Sequence, residues 1–217
     1  MALLYASQIV PSKLQLVAGW APSQSWFDGE ADGEFQNIAS FRFDDPAGQV
    51  GVETLLVRAG DGAVLQVPLT YRDAPVVGAE QFLIGTMEHS VLGTRWVYDG
   101  AGDPVYLAEL ALAALTGGAH VEQYYEVDGV RTPKALNAAV IGSGTVGTPV
   151  PDAHDDHLPN VRNDRSSTLV ETDGLALLIA RAPVAHPVAS DTGALTLTGT
   201  WADQAEPSIL ALVNSRA

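Results

Sequence analysis

The chain has 217 residues, of which 47% are hydrophobic and 17% charged. This composition suits one large or two small globular domains and excludes a disordered segment. Its 26 acidic and 11 basic side chains give a formal net charge of −15, so nucleic acid and anionic membrane surfaces are poor partners. Cysteine does not occur, which excludes disulfides, thiolate nucleophiles and cysteine-type zinc sites.

The N-terminal segment predicts a strand followed by a short helix. Residues 2–10 are rich in Leu, Ile, Val and Tyr and end at Pro11, as a first strand would. Residues 13–20 repeat apolar side chains at helical spacing, and Pro22 marks the end of the predicted helix. The segment lacks the basic start of a signal peptide, and no stretch approaches the ~18 apolar residues of a membrane helix, so a cytoplasmic location is expected.

Between residues 35 and 71 the apolar pattern changes to a period of two, which is typical of strands with one buried face. Turn residues at 45–48 and 59–62 separate the strands, and the Asp-Gly pair in the second turn tolerates a positive φ. The predicted strands span residues 40–44, 52–58 and 64–71. Short turns between successive strands predict an antiparallel meander.

Residues 103–118 predict the clearest helix of the chain. Asp103 can cap the free N–H groups, and Pro104 fits the first turn, where no donor is missed. Alanine and leucine favour the helix interior, and Gly117-Gly118 allows a left-handed end. The helix face expected to cover a sheet consists of Val105, Leu107, Leu110, Leu112 and Leu115.

The second half of the chain predicts further strands, at residues 120–127, 167–172, 175–181 and 194–200. Turns are predicted at Asp128-Gly129 and at residues 172–174. Residues 142–151 contain five glycines or prolines and are expected to be a loop or linker. Together the elements predict an α+β fold of two curved antiparallel β-sheet units with a few helices. The predicted domains are residues 1–118 and 119–217.

Two groups of polar side chains have the composition of metal or catalytic sites. His154-Asp155-Asp156-His157 could bind a divalent cation, but it lies in a polar stretch between two prolines, which favours a solvated linker. His89 follows Glu88 and precedes Ser90, yet no nucleophile-elbow motif is present, so a structural histidine is favoured over a catalytic one.

A set of aromatic and acidic residues could bind a sugar, because an aromatic face stacks on sugar C–H groups while carboxylates accept from hydroxyls. The candidate binding residues are Trp26, Trp96, Tyr98, Asp99 and Asp103. Core packing is the more common role of tryptophan, and only Trp26, which stands among polar residues, is an even choice between the two roles. For Trp20, Trp96 and Trp201 a place in the core or an interface is favoured over sugar binding.

Residues 163–168 form a polar segment between two predicted strands, and backbone N–H groups of such a turn could contact phosphate. The candidate residues are Asn163, Asp164, Ser166, Ser167 and Thr168. The segment contains no glycine, and the following strand carries no lysine to pair with phosphates. A surface hairpin is therefore the favoured interpretation.

Several motifs of the first half resemble the N-terminal cap of actinobacterial maltokinases, and more closely the short cap-like proteins that are often labelled as related to 1,4-α-glucan branching. These motifs are Pro11-Ser-Lys-Leu14, Trp26-Phe27, Val67-Pro-Leu-Thr-Tyr-Arg72, the run from Leu83 to Gly100, and Asp103-Pro-Val-Tyr106. The resemblance implies a cystatin-like cap sheet in the first half.

The second half resembles the start of a kinase N-lobe in a degenerate form. Residues 157–170 resemble the strand and phosphate loop that open such a lobe, and Leu178 falls where the ATP-contacting lysine is expected. A maltokinase continues into a large helical lobe with a catalytic Asp and metal ligands, which the 217 residues do not include. The resemblance thus implies a protein that does not transfer phosphate alone, with no cofactor and no metal.

The leading functional hypothesis from the sequence is a non-catalytic accessory or interaction protein of α-glucan, maltose or trehalose metabolism. Its expected partner is an enzyme of that pathway or a kinase-like protein. The alternative is a module that binds a small molecule or an oligosaccharide through the tryptophan, tyrosine and aspartate side chains named above. An enzyme such as a glucan-branching one ranks third, because glycoside chemistry needs two carboxylates at a set separation.

Overall fold

The computed structural model describes residues 2–5, 8–127, 130–153, 158–184 and 193–216. The predicted turn at 128–129 and the cluster at 154–157 lie outside these residues. No helix in the described ranges is long and apolar enough to cross a membrane.

In chain order, the first half contains β1 (Ala2–Tyr5), β2 (Ile9–Val10), α1 (Lys13–Trp20), β3 (Phe35–Asp44), β4 (Gly51–Ala59), β5 (Leu65–Arg72), β6 (Leu83–His89), β7 (Gly93–Asp99) and α2 (Pro104–Thr116). The second half contains β8 (Gln123–Val127), β9 (Val130–Pro133), β10 (Ala138–Gly142), β11 (Asn160–Asn163), β12 (Ser167–Glu171), β13 (Leu175–Ala180), β14 (Leu195–Trp201) and β15 (Gln204–Ser215).

These strands form two large antiparallel sheets and one small sheet. The first sheet has the order β2-β6-β7-β5-β4-β3, and the second has the order β10-β14-β15-β13-β12-β11. The small sheet, β1-β8-β9, contains one parallel and one antiparallel pair. The prediction of two antiparallel sheet units with few helices is confirmed, as is the β3-β4-β5 meander. The division into domains at residue 118 stays a prediction.

Both α-helices begin and end at the residues that carry the local signals. The Ser12 side chain accepts from the Gln15 N–H while the Gln15 side chain accepts from the Ser12 N–H, which is a capping box. Asp103 caps α2 through the N–H of Val105, and Gly117 ends α2 at φ 73°, in the left-handed region. These caps explain why both helices are visible in the sequence.

Helix α2 lies between the two large sheets and shares one core with both. Leu107, Leu110 and Leu115 are buried in that core, as predicted. Leu112 is 42% exposed, so its predicted place on the buried face is wrong. The reason is geometric: Leu112 lies five positions after Leu107, which at 3.6 residues per turn places it on the opposite side of the helix. A second core lies on the other face of the first sheet, under α1.

The glycine-rich segment after β10 packs on the C-terminal end of α2. The Gly144 N–H donates to the Ala114 carbonyl at 2.9 Å, and the Thr145 N–H donates to the Leu115 carbonyl at 3.1 Å. A Cβ at Gly142 would lie 1.9 Å from the Ala113 carbonyl oxygen, so only glycine fits there. The segment is a loop, as predicted, but it satisfies the free carbonyls of the helix instead of linking two separate bodies.

Candidate functional site

Arg181, directly after β13, is the centre of a polar group buried between the two large sheets. Its side chain is completely inaccessible. Its Nε donates to the Thr168 hydroxyl at 2.7 Å, and its Nη2 donates to the Asp99 carboxylate at 2.6 Å. The guanidinium also lies over the Trp26 ring, 4.7 Å from the centroid, in a cation–π arrangement. One side chain therefore joins the second sheet to two segments of the first half.

The backbone of Arg181 adds to the same connection. Its N–H donates to the Ser166 carbonyl, and its carbonyl accepts from the Gln66 N–H, both at 2.7 Å. The Gln66 amide then donates to the carbonyls of Ala180 and Leu210, each at 2.9 Å. We call the set Trp26, Gln66, Asp99, Thr168 and Arg181 the buried clasp. The charges of Arg181 and Asp99 neutralise each other. This is required because a charged side chain without access to water is costly unless it is paired.

The five predicted sugar-binding residues do not form one open surface. Trp26 lies in the loop between α1 and β3, as predicted, but its side chain is completely buried and its ring closes the core under Arg181. Tyr98 is buried and accepts from the Val76 N–H at 2.9 Å. Asp99 pairs with Arg181. Only Trp96 is partly exposed, and a ligand role for it stays a prediction.

Asp103, the fifth of these residues, is occupied by structural contacts. Arg72 donates two hydrogen bonds to its carboxylate, both at 2.7 Å, and the Thr70 hydroxyl donates at 2.6 Å. The hydrogen bonds that Arg72 donates to Asp103 also raise the pKa of Arg72. Because the same carboxylate caps α2, it fixes the start of that helix against β5.

The predicted phosphate-loop residues form the hairpin between β11 and β12. The Thr168 hydroxyl donates to the Asn163 side chain at 2.7 Å and accepts from Arg181, while the Asp164 N–H donates to the Ser167 carbonyl at 2.8 Å. Leu178 is 37% exposed. It faces away from Arg181 because strand side chains alternate and the two residues are an odd number apart. The surface-hairpin interpretation fits this structure.

A second polar group, which the sequence analysis did not identify, lies on the α1-facing side of the first sheet. The Lys13 Nζ lies 2.5 Å from the Glu53 carboxylate, and the Tyr71 hydroxyl donates to the same oxygen at 2.8 Å. Arg42 lies directly opposite Glu53 in the β3–β4 register. We call Lys13, Arg42 and Lys134, whose charges interact with Glu53, the basic cluster.

The pKa shifts in the basic cluster show that these charges act on each other. Burial raises the pKa of Glu53, but the charges of Lys13 and Arg42 and the hydrogen bonds from Lys13 and Tyr71 outweigh it and lower the pKa to about 2. Burial and the Glu53 charge raise the pKa of Tyr71. The pKa of Lys134 is lowered by burial and, against the attraction of Glu53, by the charges of Lys13 and Arg42.

The basic cluster was not predicted because its members are far apart in the chain and each fits an ordinary local pattern. A sequence signal did exist: the chain has only two lysines, Lys13 and Lys134, and both contribute. For the buried clasp, the sequence signal was Arg181, which directly follows the six apolar residues 175–180.

His89 has a structural role, since its ring nitrogen accepts from the backbone N–H groups of Val91 and Leu92 at the β6–β7 turn.

The described residues contain no group of three or more His, Cys, Asp or Glu side chains arranged to hold a metal ion.

No curated protein sequence matches the chain significantly. The profile of the maltokinase N-terminal cap domain matches residues 20–103, which contain strands β3 to β7 and end at the cap of α2. The motifs quoted from the sequence fall mainly in this range, and so do the first-half members of the buried clasp. Residues 20–103 are therefore similar to a maltokinase N-terminal cap domain, as the sequence motifs predict.

Proposed function

We propose that this protein is a non-catalytic accessory protein of maltose, trehalose or α-glucan metabolism, and that it acts by contacting an enzyme of that metabolism. The matched family supports the pathway, because the cap is by its name a domain of maltokinases. A family match is an association and carries no mechanism. The non-catalytic part of the proposal rests instead on the geometry of the second sheet.

The observation that carries the proposal is the use of the β11–β12 hairpin by the buried clasp. The Thr168 hydroxyl donates to the Asn163 side chain. Arg181 donates to the Thr168 hydroxyl through its side chain and to the Ser166 carbonyl through its backbone N–H. The groups at the position of a phosphate loop thus connect the two sheets. The residue at the position of the ATP-contacting lysine, Leu178, is apolar and points outward.

The outward face of the second sheet supports a role in contacting another protein. Leu169, Leu178 and Leu212 lie side by side on adjacent strands, and Thr196 continues the row. Leu178 is 37% exposed, whereas Leu169 and Leu212 are half-buried. An accessible row of apolar side chains is typical of interaction sites.

The catalytic question is tested by incubating the purified protein with ATP, magnesium and maltose, and following phosphate transfer by ³¹P NMR, with an active maltokinase as the positive control. We expect no transfer. Turnover by the purified protein, lost on heat denaturation, would overturn the non-catalytic proposal.

The partner question is tested by reconstitution. Proteins captured from a native lysate are identified by mass spectrometry, and each enzyme of maltose, trehalose or glucan metabolism among them is purified and titrated in an analytical ultracentrifuge. We expect a defined complex with one of these enzymes that Leu178→Asp weakens and Thr196→Asp, in the same row, weakens less. If no purified enzyme of this class forms a complex, the proposal is wrong.

A sugar-binding role has less support. Of the residues that suggested it, Tyr98, Asp99 and Asp103 are buried and hydrogen bonded within the protein, and Trp26 is buried under the Arg181 guanidinium.

A further inference from the structure

The basic cluster is a local excess of positive charge in this acidic protein. The chain carries 11 basic against 26 acidic side chains. Five of the other arginines pair with carboxylates: Arg72 with Asp103, Arg131 with Glu126, Arg162 and Arg216 with Glu171, and Arg181 with Asp99. At the basic cluster, by contrast, Lys13, Arg42 and Lys134 share the single carboxylate Glu53. Two positive charges remain without a counterpart.

The arrangement leaves one cation without a bonding partner. Both contacts to Glu53 go to the same carboxylate oxygen, from Lys13 and from Tyr71. Lys134 donates to the Gln123 side chain at 3.2 Å, which carries no charge. The Arg42 guanidinium finds no acceptor among the described residues, and its Nε is buried. Arg95 and Arg181 also have one unpaired buried nitrogen, but each donates through another nitrogen, which Arg42 does not do among the described residues. A buried donor without an acceptor is costly, so Arg42 is available for an acceptor from outside the protein.

The elements around the cluster hold these side chains in place. Lys13 lies over the Tyr71 ring, 5.0 Å from its centroid. A Cβ at Gly51 would lie 3.2 Å from the Arg42 Nη2 and 3.0 Å from the Tyr71 ring, so glycine leaves room for the guanidinium beside the ring. The Val121 N–H donates to the Arg42 carbonyl, and the Lys134 N–H donates to the Gln123 carbonyl, which ties the small sheet to the edge of β3.

We propose that the basic cluster binds a small phosphate-bearing anion, with Arg42 donating paired hydrogen bonds and Lys134 supplying a point charge. Two uncompensated cations match a phosphate monoester, which carries close to two negative charges at neutral pH. The planar guanidinium suits the spacing of phosphate oxygens. A compact anion is favoured over a polyanion because the net charge of −15 repels an extended one.

The proposal is tested by isothermal titration of the full chain with inorganic phosphate and with glucose 1-phosphate, at neutral pH and constant ionic strength. Glucose serves as the uncharged control. We expect saturable binding of at least one of the two phosphates and none of glucose. If glucose 1-phosphate binds more tightly, the ligand is a sugar phosphate; equal binding indicates the phosphate group alone.

Variants decide whether the basic cluster is the site. Arg42→Met and Lys134→Met should each weaken binding about tenfold or more, as expected for one charge-assisted hydrogen bond. Arg131→Met removes the same charge three positions from Lys134, at a residue 55% exposed and paired with Glu126, and should leave affinity within about twofold.

Three outcomes would overturn the proposal: no saturable binding of either phosphate, equal weakening by all three variants, or glucose binding as tightly as glucose 1-phosphate. Lys134 lies outside the strands, so Lys134→Met provides the test even if Arg42→Met does not fold. The experiment is independent of the proposed accessory role, because it measures neither phosphate transfer nor a protein partner.

Discussion

The buried clasp and the basic cluster contain the same kinds of residue and balance them differently. Each places an arginine near a carboxylate and an aromatic ring. In the clasp, Arg181 is completely buried and is matched by Asp99. In the cluster, three cations share Glu53, and the Lys13 side chain is 27% exposed.

The difference between the two groups follows from access to water. A fully buried ion must be paired and hydrogen bonded, since its desolvation has no other compensation. A group at the rim of a core can keep excess charge because water and counterions screen it. The clasp therefore belongs to folding, whereas the cluster has charge available for a ligand.

The largest expected effect is at the clasp. Arg181→Met should lower the free energy of unfolding by ~3–5 kcal/mol, because it leaves Asp99 buried without its partner. Arg162→Met removes a surface arginine, 60% exposed, from its pair with Glu171 and should cost at most ~1 kcal/mol. Urea unfolding monitored by tryptophan fluorescence measures both. Equal losses in the two variants would mean that the clasp does not differ from a surface pair.

The second prediction is that the stabilising effect of Glu53 is lost at low pH. The pKa of Glu53 is about 2 in the folded protein against 4.5 for the free side chain, so its contribution to stability is complete above pH 4.5 and is lost as the pH falls towards 2. That contribution is on the order of 3 kcal/mol. Glu53→Gln cannot titrate, so the stability difference between wild type and variant should shrink over this pH range. A constant difference in pH-dependent urea unfolding would contradict this.

The smallest expected effect is at Arg42, and it gives the sharpest contrast with Arg181. Arg42→Met should change the free energy of unfolding by no more than ~1 kcal/mol, because losing the attraction of Glu53 is offset by losing the repulsion of Lys13 and Lys134. Added salt screens these charges and should reduce the remaining difference in unfolding free energy between wild type and Arg42→Met. If Arg42→Met destabilises the protein as much as Arg181→Met in the same urea assay, the cluster is structural and its excess charge has no separate role.

Much of the fold could be predicted where the signal is local. Helix α1 follows from its apolar spacing between Ser12 and Pro22, and α2 from Asp103 at one end and Gly117 at the other. The β3-β4-β5 meander follows from alternation and turn residues.

Strands without such signals were missed. Strand β10 is rich in alanine, and β15 contains Pro207, which lies where a bulge interrupts the pairing with β14. Both strands form because neighbouring strands supply their hydrogen bonds, which no short window of sequence contains.

For the sites, too, some features could be read from the sequence and others depended on tertiary contacts. Composition alone established a cysteine-free, strongly acidic protein, and the motifs between residues 11 and 106 indicated the cap family that the profile match bears out. Only the tertiary structure decided that Trp26, Asp99 and Thr168 meet at Arg181, and that the charges of Lys13 and Lys134 both interact with Glu53. Local propensity acts over a few residues along the chain, whereas burial and charge act through space between segments that the fold brings together.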